Sequence, residues 1–216
     1  MKSESNKLAV RGELALIAMV IMNSAGVLLM LHSGSGISAI SSVPYGFQQV
    51  FPQLTLGTWT YMFQGLLVLV LMLLRRKFIP SYLFSFVVGF VFGKLMDLEK
   101  PFIDALPLNI PMRVLYFVLS YLILCFGISL GNRCGLPITP TDLFPREMAD
   151  ITKLPYARVK ITFDLTCLIT TAVITFVGVG AIRGLGIGTV VAACTMGKGI
   201  SFIGSLLDKR LTFHSV

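Results

Sequence analysis

Six stretches of the chain are almost continuously apolar, at residues 12–31, 57–74, 78–96, 111–130, 157–179 and 184–206. Each comes within a few residues of the roughly 20 that a helix needs to cross the hydrocarbon core of a bilayer. Each therefore predicts a transmembrane helix. The fifth is interrupted near its start by Arg158, Lys160 and Asp164. The first follows Lys2, Lys7 and Arg11, which imitates a secretory signal. It is longer than an ordinary h-region of about 7–15 residues and lacks a small-residue cleavage site, so a retained span is expected. Between spans, the Gly/Ser/Pro-rich segments 37–56 and 135–155 read as broken or re-entrant elements or as surface helices.

Features recur in the same order at a spacing of about 100 residues. Leu31-His-Ser-Gly-Ser-Gly36 aligns with Leu130-Gly-Asn-Arg-Cys-Gly135, Phe63-Gln64 with Phe163-Asp164, and Phe92-Gly93-Lys94 with Met196-Gly197-Lys198. Three spans per half is an odd number, so the second copy enters the membrane from the opposite side, as in inverted-repeat transporters. The expected fold is an all-α polytopic membrane protein of about six transmembrane helices in two inverted three-helix repeats with broken or re-entrant segments. Its parts are an N-terminal tail 1–11, a first repeat 12–98, an extracytoplasmic linker 99–110, a second repeat 111–206 and a C-terminal tail 207–216.

Composition agrees: 55% of the residues are hydrophobic and 13% charged, against about a quarter charged in soluble domains. A net charge of +8 would suggest nucleic acid in a soluble chain, but here it follows topology. The N-terminus, residues 75–77, the 131–160 connection and the C-terminus hold 13 of the 18 Lys and Arg, and the opposite side holds Lys100, Arg113 and Arg183. Basic residues stay on the cytoplasmic side. Both termini are therefore expected in the cytoplasm of a cell whose plasma (inner) membrane the chain spans, and no nucleic-acid partner is expected.

Lys94, Lys198 and Asp164 lie within apolar stretches, where a central charge costs roughly 2.5–3.5 kcal/mol on insertion scales. Facing an interior site is one reading of the lysines, and snorkelling to the headgroups is the other. Asp164 reads as the counter-ion of Lys198, Lys160 or Arg158, or as a coupling element that changes partners. Its counterpart Gln64 cannot ionise, which confines any proton coupling to the second half. Asn23 reads first as an interhelical hydrogen bond and second as a ligand. In 135–145, Thr139 can cap a helix, Pro140 suits its first position and Asp142 can reach back to the cap or meet a cationic group. Cys125, Cys134, Cys167 and Cys194 form no CxxC pair, and neither a disulfide framework, a metal nor another cofactor is expected.

The turn from Gly135 to Pro140-Thr-Asp142-Leu and the run Gly184-Leu-Gly-Ile-Gly-Thr189 resemble the Pro-x-Asp and Gly-x-Gly-Thr motifs of the YczE/YyaS/YitT family of bacterial integral membrane proteins. The resemblance extends over nearly the whole chain in length, span layout and duplicated halves. It implies a polytopic plasma-membrane protein and supplies no activity. The leading expectation is a secondary transporter or facilitator of a small polar organic solute, anionic or zwitterionic, coupled to a proton or another ion. Lys94 and Lys198 would attract the negative group, and Asp142 or Asp164 would take a proton or an ammonium. The alternative is a non-transporting accessory protein acting through a partner complex. With His32 and His214 as the only histidines and no HExxH or GxSxG motif, no enzymatic centre is expected. The glycine-rich sixth span can pack within the chain or across a homodimer.

Overall fold

Each apolar stretch forms a long helix in the computed structural model, which describes residues 8–214. The helices are α1 (Gly12–His32), α2 (Ala39–Val50), α3 (Leu56–Arg75), α4 (Pro80–Asp104), α5 (Ile110–Gly131), α6 (Pro140–Thr152), α7 (Tyr156–Val179) and α8 (Ile187–Arg210). Six of them are long and apolar enough to cross a membrane. Local chemistry sets their ends: Thr55 and Asn109 cap α3 and α5 by accepting from the N–H groups of Thr58 and Met112. Gly180 closes α7 in the left-handed conformation that glycine adopts without strain. The long helices turn apolar stripes outward, with Leu66, Leu69 and Leu73 exposed on α3 and Ile169, Val173 and Phe176 on α7. At helical spacing these stripes are the faces that lipid covers.

α4 runs on to Asp104, past the expected end of the first repeat at residue 98. Lys100 pairs with Asp104 one turn on, so the polar end of the segment stays helical and the link to α5 shrinks to residues 105–109. α2 and α6, at 12 and 13 residues, are too short for a bilayer that takes about 20. Both are nevertheless buried through their first halves, from Ala39 to Pro44 and at Pro140, Asp142, Leu143 and Pro145.

Helix contacts obey one exchange rule. α1 packs on α5, α2 on α7 and α3 on α6, while α1–α4, α3–α4 and α2–α3 match α5–α8, α7–α8 and α6–α7, and α4–α6 matches α8–α2. Replacing α1–α4 by α5–α8 in order leaves this set unchanged. At the α1–α5 crossing, a Cβ on Gly26 would stand 3.0 Å from Leu124, and one on Gly127 would land on Asn23. The turns match as well: the Ser33 hydroxyl and Cys134 thiol donate to the carbonyls three residues back, and Gly34 and Gly135 follow with φ of 75° and 72°. That register slips the expected loop alignment by two residues. Pro44 now matches Pro145, each the sixth residue of its short helix, and Ser41 matches Asp142.

The short helices lead to opposite ends of the bundle. Trp59, in the first turns of α3, donates to the Phe51 carbonyl just beyond α2. Arg75, the last residue of α3, binds Glu147 and Asp150 of α6 at 2.7 Å each. At the Arg75 end, Arg133 of the α5–α6 turn also binds Asp208 of α8 at 2.6 Å. β1 (Leu8–Arg11) pairs in parallel with β2 (Leu211–His214), so the start of α1 and the end of α8 share one end. Lys2 and Lys7, counted above with the basic tail, lie outside the described residues, as do 215 and 216.

Arg75 and Lys153 hold the exposed Asp150 carboxyl below its ordinary value of 3.8. A carboxylate whose folded value is depressed contributes stability above its unfolded value and loses it as pH falls through the folded one. The α6 tether is therefore expected to persist at pH 5 and to loosen below about pH 3.8, read as faster hydrogen exchange in the last turn of α6. Unchanged exchange across that range would mean that the pair does not hold the helix.

Candidate functional site

Where the N-termini of α2 and α6 converge, the bundle forms a cavity of about 40 Å³. Ser38, Ala39, Ile40 and Ser41 border it from α2, Thr141 and Asp142 from α6, Lys160 and Asp164 from α7, and Asn23 and Val27 from α1. Phe92, Leu124, Ile128, Ala192, Ala193 and Met196 supply apolar walls. A single water needs roughly 10–15 Å³ by a comparable measure. The space suits a small ion with a water or two, and a sugar or an amino acid would need the walls to part.

Lys160 and Asp164 form a buried ion pair. The lysine Nζ donates to both carboxylate oxygens at 2.6 and 2.7 Å, and the side chains are 3% and 1% exposed. Spaced by one helical turn, the two point the same way from α7. Asp142 sits in the first turn of α6, where a carboxylate meets the positive end of the helix dipole. It accepts from the Thr139 hydroxyl at 2.8 Å, and the Asn23 amide reaches it at 3.5 Å. Thr139 is the residue before the helix, as its sequence predicts, but its hydroxyl serves Asp142 rather than the backbone. Gln64, fully buried on α3, lies against Gly89 and Pro140 at the start of α6. The positions of α3 that match Lys160 and Asp164 are Thr60 and Gln64, so one half carries the charges and the other carries neutral groups.

The structure thus gathers Asn23, Asp142 and Asp164 around one cavity and sets Gln64 outside its lining, beside Gly89. Lys94 and Lys198 stand elsewhere. Both are exposed on the outer faces of α4 and α8, and Lys94 lies over the Phe90 ring at 5.6 Å. The reason is the preceding glycine. A Cβ on Gly93 would stand 2.6 Å from the Gly57 carbonyl oxygen and one on Gly197 3.0 Å from that of Ala157. Each glycine is thereby fixed inward, and the next residue turns about 100° away. Of the three partners open to Asp164, the structure selects Lys160. The glycines of α8 meet neighbours within the chain, Gly188 against Phe117, Gly197 against Ala157 and Gly204 against Arg133.

Sequence reasoning passes over Lys160 as a site residue because it counts toward the basic end. The signal that could have found it is its spacing of four from Asp164. The loop motif 184–189 plays a structural part, since the Gly184 carbonyl accepts from the Ile37 N–H at 2.9 Å. A Cβ on Gly36 would collide with Thr189 and the Gly186 nitrogen, so this run seats the turn that delivers α2 to the cavity. No curated protein and no solved structure matches the chain. The family model that does match goes by a different name from the YczE/YyaS/YitT family that these motifs resemble. It covers residues 10–205, and the chain belongs to that family, a family of unknown function (DUF6198).

Proposed function

We propose that this chain is a secondary transporter or facilitator that moves a small polar solute, anionic or zwitterionic, by alternating access. The observation that carries the reading is the cavity between two short helices that leave it toward opposite ends of the bundle. Such half-helices, with N-termini aimed at a central site, recur in transporters built from inverted repeats. In this reading the helix exchange rule is that of an inverted repeat, and α2 and α6 enter the membrane from opposite sides without crossing it. The end with Arg75, Arg133 and Arg210 is cytoplasmic, both termini included, and the membrane is the plasma membrane. No catalytic step is assigned. The Lys160–Asp164 pair keeps the centre polar and neutral while the walls close.

The second reading, an accessory protein, draws on the same pair, because charges satisfied internally need no solute. Reconstitution of the purified protein into liposomes separates the two. Vesicles offered a mixture of small anions and zwitterions, analysed by mass spectrometry, are expected to accumulate at least one over protein-free vesicles. No uptake, together with a stoichiometric partner captured by crosslinking, would favour the accessory role.

A further inference from the structure

The residue before α2, Ser38, occupies the position where serine ordinarily caps a helix, yet it makes no cap. Ser38 and Ser41 are among the residues that border the cavity. They are 8% and 7% exposed, and neither side chain has a hydrogen-bond partner among the described residues. Ser42, one position on and turned away, shows the contrast: its hydroxyl donates to the Ala39 carbonyl at 2.6 Å and meets Thr171 at 2.7 Å. Of the three serines at the start of α2, the two that border the cavity have hydroxyls with no protein partner among the described residues, free to meet whatever enters it.

The first turn of α2 adds backbone N–H groups with no side-chain cap. These and two hydroxyls, all able to donate, ask for an acceptor, and a helix N-terminus favours a negative one. At the start of α6 the equivalent position holds Asp142, which already supplies that negative charge. One N-terminus is neutralised from within and the other is open.

Charge arithmetic then ties the open site to Asp142. Two helix N-termini contribute roughly +0.5 each and Lys160 a full positive charge, while Asp142 and Asp164 supply two negative charges. The empty cavity is near neutral and repels an anion through the ionised Asp142. Protonating Asp142 leaves about one positive charge, the complement of a monovalent anion. Lys160, Asp164 and Tyr156 of α7 and Arg146 of its own helix are the titratable and charged groups that act on Asp142. From the other helices it meets Asn23 of α1, and α3 and α4 bring the neutral Gln64 and Gly89 to the start of its helix. Because Lys160 is already bound by both oxygens of Asp164, no cation among the described residues pairs with Asp142 directly. At about 40 Å³ the cavity matches a halide, nitrate or formate.

Resting on the transport reading, we propose that the cavity binds a small monovalent anion at Ser38, Ser41 and the N-terminus of α2, and that Asp142 carries a proton with it. Full-length protein in liposomes, offered chloride, nitrate and formate, is expected to accumulate at least one of them several-fold more under an inward proton gradient than at symmetric pH. Ser38→Ala combined with Ser41→Ala should raise the half-saturating concentration about tenfold in a folded protein. Asp142→Asn, which mimics the protonated carboxyl, should continue anion exchange and lose the response to the proton gradient. If that variant fails to fold, the gradient dependence of the unmodified protein decides the coupling. Uptake of zwitterions or larger solutes with none of the three anions would overturn the anion assignment and leave transport standing. Anion uptake indifferent to the serine substitutions would overturn the site, and no uptake of any solute would overturn both this inference and the transport reading.

Discussion

Lys160→Met is expected to be among the most damaging single substitutions in the protein, costing about 3–5 kcal/mol, the range for removing one partner of a buried ion pair. The lysine and Asp164 are 3% and 1% exposed and bound by two short hydrogen bonds. Removing the lysine leaves a carboxylate at the cavity wall without its counter-ion. Asp164→Leu leaves an ammonium in the same position and is expected to cost a similar amount. The double variant Lys160→Met with Asp164→Leu should recover to within about 1 kcal/mol of the parent, because replacing both charges by apolar groups of similar volume is often neutral. It should also transport more slowly, since two of the polar groups that border the cavity are gone. Thermal unfolding of the four proteins in detergent checks this. Single variants as stable as the parent would mean that the pair is hydrated and not a closed core element.

The next largest effect is expected where two backbones touch. Gly57 of α3 and Gly93 of α4 approach so closely that a Cβ on either meets the carbonyl oxygen of the other. Backbone cannot swing aside as a flexible side chain can, so Gly93→Leu must separate the helices, and overpacking of this kind costs about 3 kcal/mol or more. Gly93→Ala is expected to be milder. Gly197→Ala, whose Cβ would stand 3.0 Å from the Ala157 carbonyl oxygen against 2.6 Å from that of Gly57 for Gly93, should be milder still. Size-exclusion profiles and melting temperatures of the three variants test the order. Gly93→Leu behaving like the parent would show that α3 and α4 are not packed backbone to backbone.

Spans are legible in the sequence because lipid imposes a single requirement, a long apolar run, and six runs meet it. The polar residues are legible in kind and only partly in direction. Asn23, Asp142 and Asp164 reach the cavity. Lys94 and Lys198 carry the same signal, a charge in an apolar run, and point outward. Hydropathy has no phase on a helix that is apolar all round, and the phase is set here by Gly93 and Gly197, whose inward contacts exist only in the fold. Ser38 and Ser41 are visible in the sequence only as members of a Gly/Ser/Pro-rich segment. That they are unpaired in a cavity depends on the seat that Gly184 and Thr189 provide for the turn at Gly36, a contact between residues about 150 apart.

Alternating access around this cavity is the central claim, and its most direct test needs no knowledge of the solute. Ser41→Cys, made with the four native cysteines replaced, places a thiol on the cavity wall of a protein in oriented vesicles. Membrane-impermeant thiol reagents applied to one face or the other are expected to label it from both, with labelling from either face slowed when solute is bound. Labelling from one face only, or from neither under any condition, would contradict the account.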